Sequence, residues 1–457
     1  MKRFILITIQ TILLLIFFTP IVEAQNDSLN LKKYWHYRQR LNYFVMPGIL
    51  RGESQIAGIR NRFDYGGNDL NFGQHGIYFG YYIGMLATEF KLLNDNRDSL
   101  AKKSQNELNL ALRQFVNFLD KTESLLFKNS KDEFDGFFVR ESVPCEFLQN
   151  EAREKHFNKD LQLEDKWDHI NNRFGNLPKG QPAYVVKVSE CDSIPKVFSQ
   201  DEAIGLIYGL ALVYRCMPDS SYEKMMAKEI AINVVNYIRN SARLYGKSLS
   251  MRWRIFRPNG ERLKASEGGL AWFYAYGFMR AASYFDPHFD NLLKKISRYP
   301  QELFFQFGQF FPSPNPDNTS MITTLAVVGD SWRAVIPVVG LVFKMNTTYF
   351  GIKAKTKRQD WDSFYVLSWN VLHNKNKNME TRLENAFNQL NTAPYEGPYN
   401  YGLNNNPKET GWSSSYKWHH KKNMQLGEII GIMGNYNGLD YMLLHNLYCI
   451  EKGKQLK

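Results

Sequence analysis

Ser199-Gln200-Asp201-Glu202 opens a long apolar stretch that runs to Tyr214. Serine followed three residues later by glutamate is the pattern of a helix capping box, in which both side chains satisfy backbone amides of the first turn. Ser199 and Glu202 are therefore expected to cap. Asp201 is left as a carboxylate at the positive end of the helix dipole with no capping duty. A spare acid at the start of a buried helix suits general acid–base chemistry. A first-turn acid that merely complements the dipole is the plainer alternative.

Acid–base chemistry of this kind takes two carboxyl groups, one protonated and one ionised. Asp69, in the polar stretch GGNDLN, is the expected partner of Asp201, with a turn or cap aspartate as its structural alternative. Glu267 and Glu428 are the reserves, and Glu202 is set aside because capping accounts for it. His75 and Tyr78, at the start of a helical stretch, are candidate ligand contacts, with a structural histidine as the alternative for His75. Asp135 and Arg140 lie in KDEFDGFFVRES, where Arg140 suits a ligand carboxylate or a local salt bridge. Trp412, in KETGWSSSYKWHH, suits a flat stacking platform. His419-His420 reads as exposed. No metal or cofactor is expected: there is no phosphate-cradling glycine loop, no G-x-S-x-G and no H-E-x-x-H.

These residues are carried by alternating kinds of helix. Phe72–Asn94 and Ser199–Met217 are apolar nearly all round, with glycines four apart at Gly76, Gly80 and Gly84 and at Gly205 and Gly209. Each is followed by an amphipathic stretch, Asp98–Lys128 and Tyr222–Tyr245. The order recurs as Ser266–Phe285 with His288–Phe307, then within Asn318–Phe343, then Asp360–His373 with Met379–Leu390. Asn423–Asn435, expected buried, is followed by Leu439–Ile450, expected outside. Links from buried to amphipathic helix are short, and links back are long. The expectation is an all-α fold, an (α/α)6 toroid of about twelve helices with little or no sheet. In such a ring every long link reaches one rim, where the inner helices begin. Residues 71–457 form this single domain, 129–198 is a long loop over its mouth, and 25–70 is extended or irregular.

The first 24 residues read as a secretory leader: Lys2 and Arg3, an apolar run Phe4–Phe18, and Val22-Glu23-Ala24 before the cleavage point. An uncleaved anchor is disfavoured by the shortness of the run. Export to the periplasm or outside the cell follows, with no membrane span after cleavage. Hydrophobic content of 44% with 22% charged residues excludes a disordered chain. The net charge of +12 suits an anionic partner or simply a solvated basic surface, and no nucleic-acid motif accompanies it. Of the four cysteines, Cys145 and Cys191 share one loop segment and are the expected disulfide pair, while Cys216 reads as a buried apolar residue.

The helix pattern and the SQDEAIGL start resemble the six-hairpin glycosidase-like superfamily over most of the chain. The resemblance implies a glycoside hydrolase acting on an oligosaccharide or polysaccharide, with catalytic acids near inner-helix starts. A carboxyl separation of roughly 6.5–9.5 Å would imply inversion, the outcome most such toroids resemble. Related toroids include lyases, which here would use His75 and a tyrosine on a uronate, and non-catalytic glycan- or protein-binding proteins. The fold alone does not choose among them.

Overall fold

The computed structural model describes residues 27–60, 69–73, 75–126, 134–139, 143–157, 187–188, 199–244, 258, 271–295, 316–330, 362–375, 379–393, 395, 398–400 and 434–456. The glycine-striped sequences become the two most intimately packed helices. α2 (His75–Asp95) and α5 (Gln200–Cys216) share the most extensive helix contact among the described residues. They run parallel and in step: Gly76 faces Glu202, Gly80 faces Gly205 and Gly209, and Gly84 faces Gly209 and Leu212. Without side chains on these positions, the two backbones touch.

Helix α1 (residues 27–40) comes first, and α3 (Leu100–Leu126) follows α2. A short α4 (Glu151–Phe157) precedes α5, and α6 is Tyr222–Leu244. Then come α7 (Ala271–Phe285), α8 (His288–Lys295), α9 (Pro316–Gly329), α10 (Asp362–His373), α11 (Met379–Thr392) and α12 (Leu439–Lys452). The chain is all-α. Six helices touch in sequence, α2 to α5, α5 to α7, α7 to α9, α9 to α10, α10 to α12, and α12 to α2, and α5 also packs directly on α9 and α10. Amphipathic helices lie outside these six, α3 on α2, α6 on α5, α8 on α7, and α11 on α10 and α12.

All six run the same way, because the C-terminal ends meet. Arg215 at the end of α5 donates to the Val371 carbonyl of α10 at 2.9 Å and also bonds Asn374. Tyr284 of α7 donates to the Leu372 carbonyl at 3.1 Å, and His373 of α10 bonds the Val327 carbonyl of α9 at 2.8 Å. Lys91, Arg215, Lys375 and Glu451 line a cavity of about 360 Å³ at this end. Cations suit the negative ends of converging helix dipoles.

At the opposite end short described pieces of the links meet. Two- and three-residue strands make one small sheet in the order β3 (Lys187–Val188), β2 (Asp69–Asn71), β1 (Ile59–Arg60), β5 (Gly434–Tyr436), β4 (Tyr399–Asn400). β2 leads into α2 and β5 leads into α12, so the sheet lies at inner-helix starts. β1 pairs antiparallel with β2 and β5, and β2 pairs parallel with β3.

Three expectations are corrected. Residues 27–40, expected extended or irregular, are helical. Asn30, Lys33, Tyr34, Tyr37 and Leu41 are all buried, a helical spacing. A polar network holds α1 in place. Arg38 pairs with Glu89 at 3.0 Å and Glu107 at 2.6 Å. Tyr34 and Ser104 donate to Glu89, Tyr82 donates to Glu107, and Asn446 of α12 donates to Tyr34 and Thr88. Second, Gly434 and Asn435 belong to a strand, so no helix extends through Asn435. Third, Leu439–Lys452 is an inner helix, buried from Leu439 to Cys449 and wedged between α2 and α10. α1 packs against α2, α3 and α12.

Candidate functional site

The inner-helix starts carry three carboxylates on described side chains. Asp201 occupies the second position of α5, after the cap Ser199, and is partly exposed. The capping box does not form: Ser199 makes no cap bond to the helix, and its hydroxyl donates to Asp201 instead. Glu202, expected to complete the capping box, is fully buried. It lies three residues before Gly205, on the stripe that faces α2, and its Cβ fills the space left by Gly76. The reason for setting Glu202 aside therefore falls.

Asp440 was not foreseen. It occupies the second position of α12, after the cap Gly438, as Asp201 does in α5. It is 1% exposed, and its Oδ1 accepts the Tyr441 amide at 3.0 Å. Its charge raises the phenol pKa values of Tyr78 and Tyr81 on α2, after the larger effect of burial. α5 and α12 flank α2 on either side, so Asp201 and Asp440 bracket it. The signal was available in NGLDYMLL, where a turn glycine and a first-turn acid precede a fully apolar helix.

Below these acids tyrosines lie between the helices. Tyr208 lies two turns below Asp201, on the same face of α5. Its hydroxyl bonds Ser368 of α10 at 2.7 Å, and its ring meets Tyr81 of α2 edge-on at 6.2 Å and Phe364 of α10 at 5.8 Å. Tyr365 of α10 completes the group, and its nearness helps raise the Tyr81 and Tyr208 phenols, after burial. These phenols stay protonated at neutral pH. They offer hydroxyl groups and flat ring faces between α2, α5 and α10.

The expected site residues divide. Tyr78 is buried on α2, beneath Gly58 and near Tyr436 and Asp440. His75 is the first residue of α2 and is buried, bonded to the Ile56 backbone and 5.4 Å from the Phe79 ring. Burial lowers its pKa to about 4, so it is neutral at neutral pH. Asp69 is not in a loop: it is in β2, opposite Lys187 of β3, and its side chain lies outside the described residues. Asp135 accepts the Phe137 amide at 3.0 Å in a tight turn. That turn packs on α6, where Gly136 abuts the Asn233 carbonyl and Phe137 meets the Tyr237 ring. Glu267, Glu428, Arg140 and Trp412 lie outside the described residues.

Cys145 is disulfide-bonded, whereas Cys216 and Cys449 are free and buried. Cys191 lies outside the described residues. Among the described residues, no three His, Cys, Asp or Glu side chains gather into a group that could hold a metal. No helix among them is long and apolar enough to cross a membrane. Compared with known proteins, the chain matches no family model, no curated protein and no solved structure.

Proposed function

We propose that this chain is a carbohydrate-active enzyme, a glycoside hydrolase built as an (α/α)6 toroid and exported through its leader. Its substrate is an oligosaccharide or polysaccharide entering at the end where the inner helices begin. The observation that supports this reading most is the matched position of Asp201 and Asp440. They open two of the six helices, on either side of α2, above the tyrosines between α2, α5 and α10. One carboxyl group protonates the glycosidic oxygen as it leaves. The other, ionised, activates the attacking water or the anomeric carbon. The rings of Tyr81 and Tyr208 present apolar faces to a sugar, and phenol hydroxyls bond its hydroxyls. Glu202 acts from the α2–α5 seam as a positioning group. Asp440 takes the place first given to Asp69.

The test is a glycan screen that reads reducing ends and unsaturated products separately, on wild type, Asp201→Asn and Asp440→Asn. Hydrolysis predicts reducing ends without unsaturation. Each variant should fold and lose at least about a hundredfold in kcat, the lower scale of acid–base catalysis. Full activity in either variant removes that residue from the mechanism. Unsaturated products would replace hydrolysis by elimination.

A further inference from the structure

Arg60 carries a positive charge into the interior with no acid among the described residues to meet it. It is the second residue of β1, between Leu70 of β2 and Asn435 of β5, and is 2% exposed. Its guanidinium lies 4.6 Å over the Tyr43 ring. One nitrogen, Nη1, is used by the protein: it donates to the Phe157 carbonyl at 3.1 Å and to the Tyr43 carbonyl at 3.5 Å. The other two, Nε and Nη2, are buried and have no hydrogen-bond partner among the described residues.

The surroundings deepen the imbalance. Arg40, 5% exposed, stacks on Phe44 at 5.0 Å and donates to the Tyr436 carbonyl of β5. Its charge reaches Arg60. Burial lowers the Arg60 pKa to about 9; Tyr43 opposes it and Arg40, a smaller effect than Tyr43, adds to it, and the group stays charged at neutral pH. Glu53, an acid of the neighbouring turn, is committed to Arg153 at 3.6 Å. Among the described residues no carboxylate forms an ion pair with Arg60.

A buried, uncompensated cation is among the most costly arrangements in a protein, and buried charges are ordinarily paired. Orphaned buried donors call for a missing partner. The particular pair left unused is informative. Nε and Nη2 are adjacent and form one edge of the guanidinium, the fork that takes both oxygens of a carboxylate at once. The edge pinned by carbonyls holds the group in place, and the stacked Tyr43 ring fixes its plane. Such a preset planar fork favours a flat carboxylate over a point-like anion.

We propose that the Nε–Nη2 edge of Arg60 is a carboxylate-binding site for a small ligand, with Arg40 adding a second positive charge behind it. The carboxylate comes either from a free organic acid or from a uronate unit of a glycan. The site stands or falls independently of any hydrolytic activity.

The experiment is calorimetric titration of the full chain at fixed ionic strength with sodium acetate, sodium glucuronate and glucose. Saturable binding of acetate or glucuronate, with none of glucose, is expected. Glucuronate binding at least tenfold tighter than acetate identifies a sugar acid as the source. Equal binding identifies a free carboxylate. Arg60→Gln, which removes charge and fork, should weaken binding at least tenfold. Arg60→Lys keeps the charge without the fork and should weaken it nearly as much. A second reading needs no variant: the Arg60 Nε–H nitrogen-15 resonance of wild type should move downfield as acetate is added. No saturable binding of either carboxylate, unchanged binding in Arg60→Gln, or an unmoved Nε–H resonance overturns the proposal.

Discussion

Gly80 and Gly209 face each other across the α2–α5 seam with no side chain between them. A methyl group on Gly209 would strike the Gly80 carbonyl, and one on Gly80 would strike the Gly205 carbonyl. Backbone cannot move aside as a flexible side chain can. Gly209→Ala and Gly80→Ala should each destabilise the fold by about 3 kcal/mol, the upper part of the usual cost of overpacking. Gly453, with nothing near its absent side chain, is the control for space, although its positive φ of 64° adds its own strain. Urea unfolding of the two seam variants decides: changes within about 0.5 kcal/mol of wild type would mean the helices separate easily.

The pair Arg38–Glu107 gives the second prediction. Glu107 also accepts the Tyr82 hydroxyl at 2.7 Å, so its removal strands two buried donors. Glu107→Ala should cost about 3–5 kcal/mol, the scale of breaking one side of a buried pair. Replacing Arg38, Glu89 and Glu107 together by apolar residues of similar volume should cost less than that single change. Thermal unfolding of both variants tests the ordering.

His445 sets a pH dependence. It is stacked on Tyr34 at 4.9 Å and buried, and burial lowers its pKa to about 3. The unfolded chain holds a proton on this ring below about pH 6.5, and the folded chain does not until about pH 3. Stability from this group is therefore present above pH 6.5 and lost as pH falls towards 3, by up to about 1.4 kcal/mol per unit. Glu451, with its pKa pushed up to about 7 by burial, acts in the opposite sense between its unfolded pKa and 7. Comparing slopes removes that complication. His445→Gln should show a shallower fall of stability between pH 6 and 4 than wild type, by about one proton. Equal slopes would mean the ring is solvated.

The cysteines can be counted by labelling. Cys216 and Cys449 are buried thiols whose pKa values are raised to about 12 by burial. Neither supplies thiolate near neutral pH, and the thiolate is the reactive form. Native protein should take up no iodoacetamide at these two positions, and unfolded, unreduced protein should take up two equivalents. Rapid labelling of Cys449 in the folded protein would show that its helix opens.

Much of this was readable in advance. The four-residue glycine spacing of Gly76, Gly80 and Gly84 foretold a helix pressed against another backbone, because only small residues permit that approach. Short links after buried helices and long links before them foretold which ends would carry the loops. The misses have physical causes. The strands are two or three residues long, too short to hold an alternating pattern. Helix 27–40 buries lysine, arginine and tyrosine, so its stripe is hidden from a reading based on apolar residues. Glu202 matched a capping box, but it also falls on the α2-facing stripe, and tertiary packing took precedence over the local motif. Asp440 was lost through one wrong assignment. Treating Leu439–Ile450 as an outer helix made its first-turn acid look like surface.

Helix α12 has a consequence for the order of assembly. It touches both α2 and α10, and through Asn446 it bonds residues of α1 and α2 more than 350 positions earlier in the chain. Trp35 likewise donates to the Leu456 carbonyl at 3.2 Å. A chain emerging from its N-terminal end can pair α2 with α5 early, but the flank of α2 stays open until the last helix arrives. The final closure spans almost the whole chain, and contacts of such high separation are slow to form. Until then the flank of α2 that α12 covers is bare, and the last helix of a neighbouring chain can take that place.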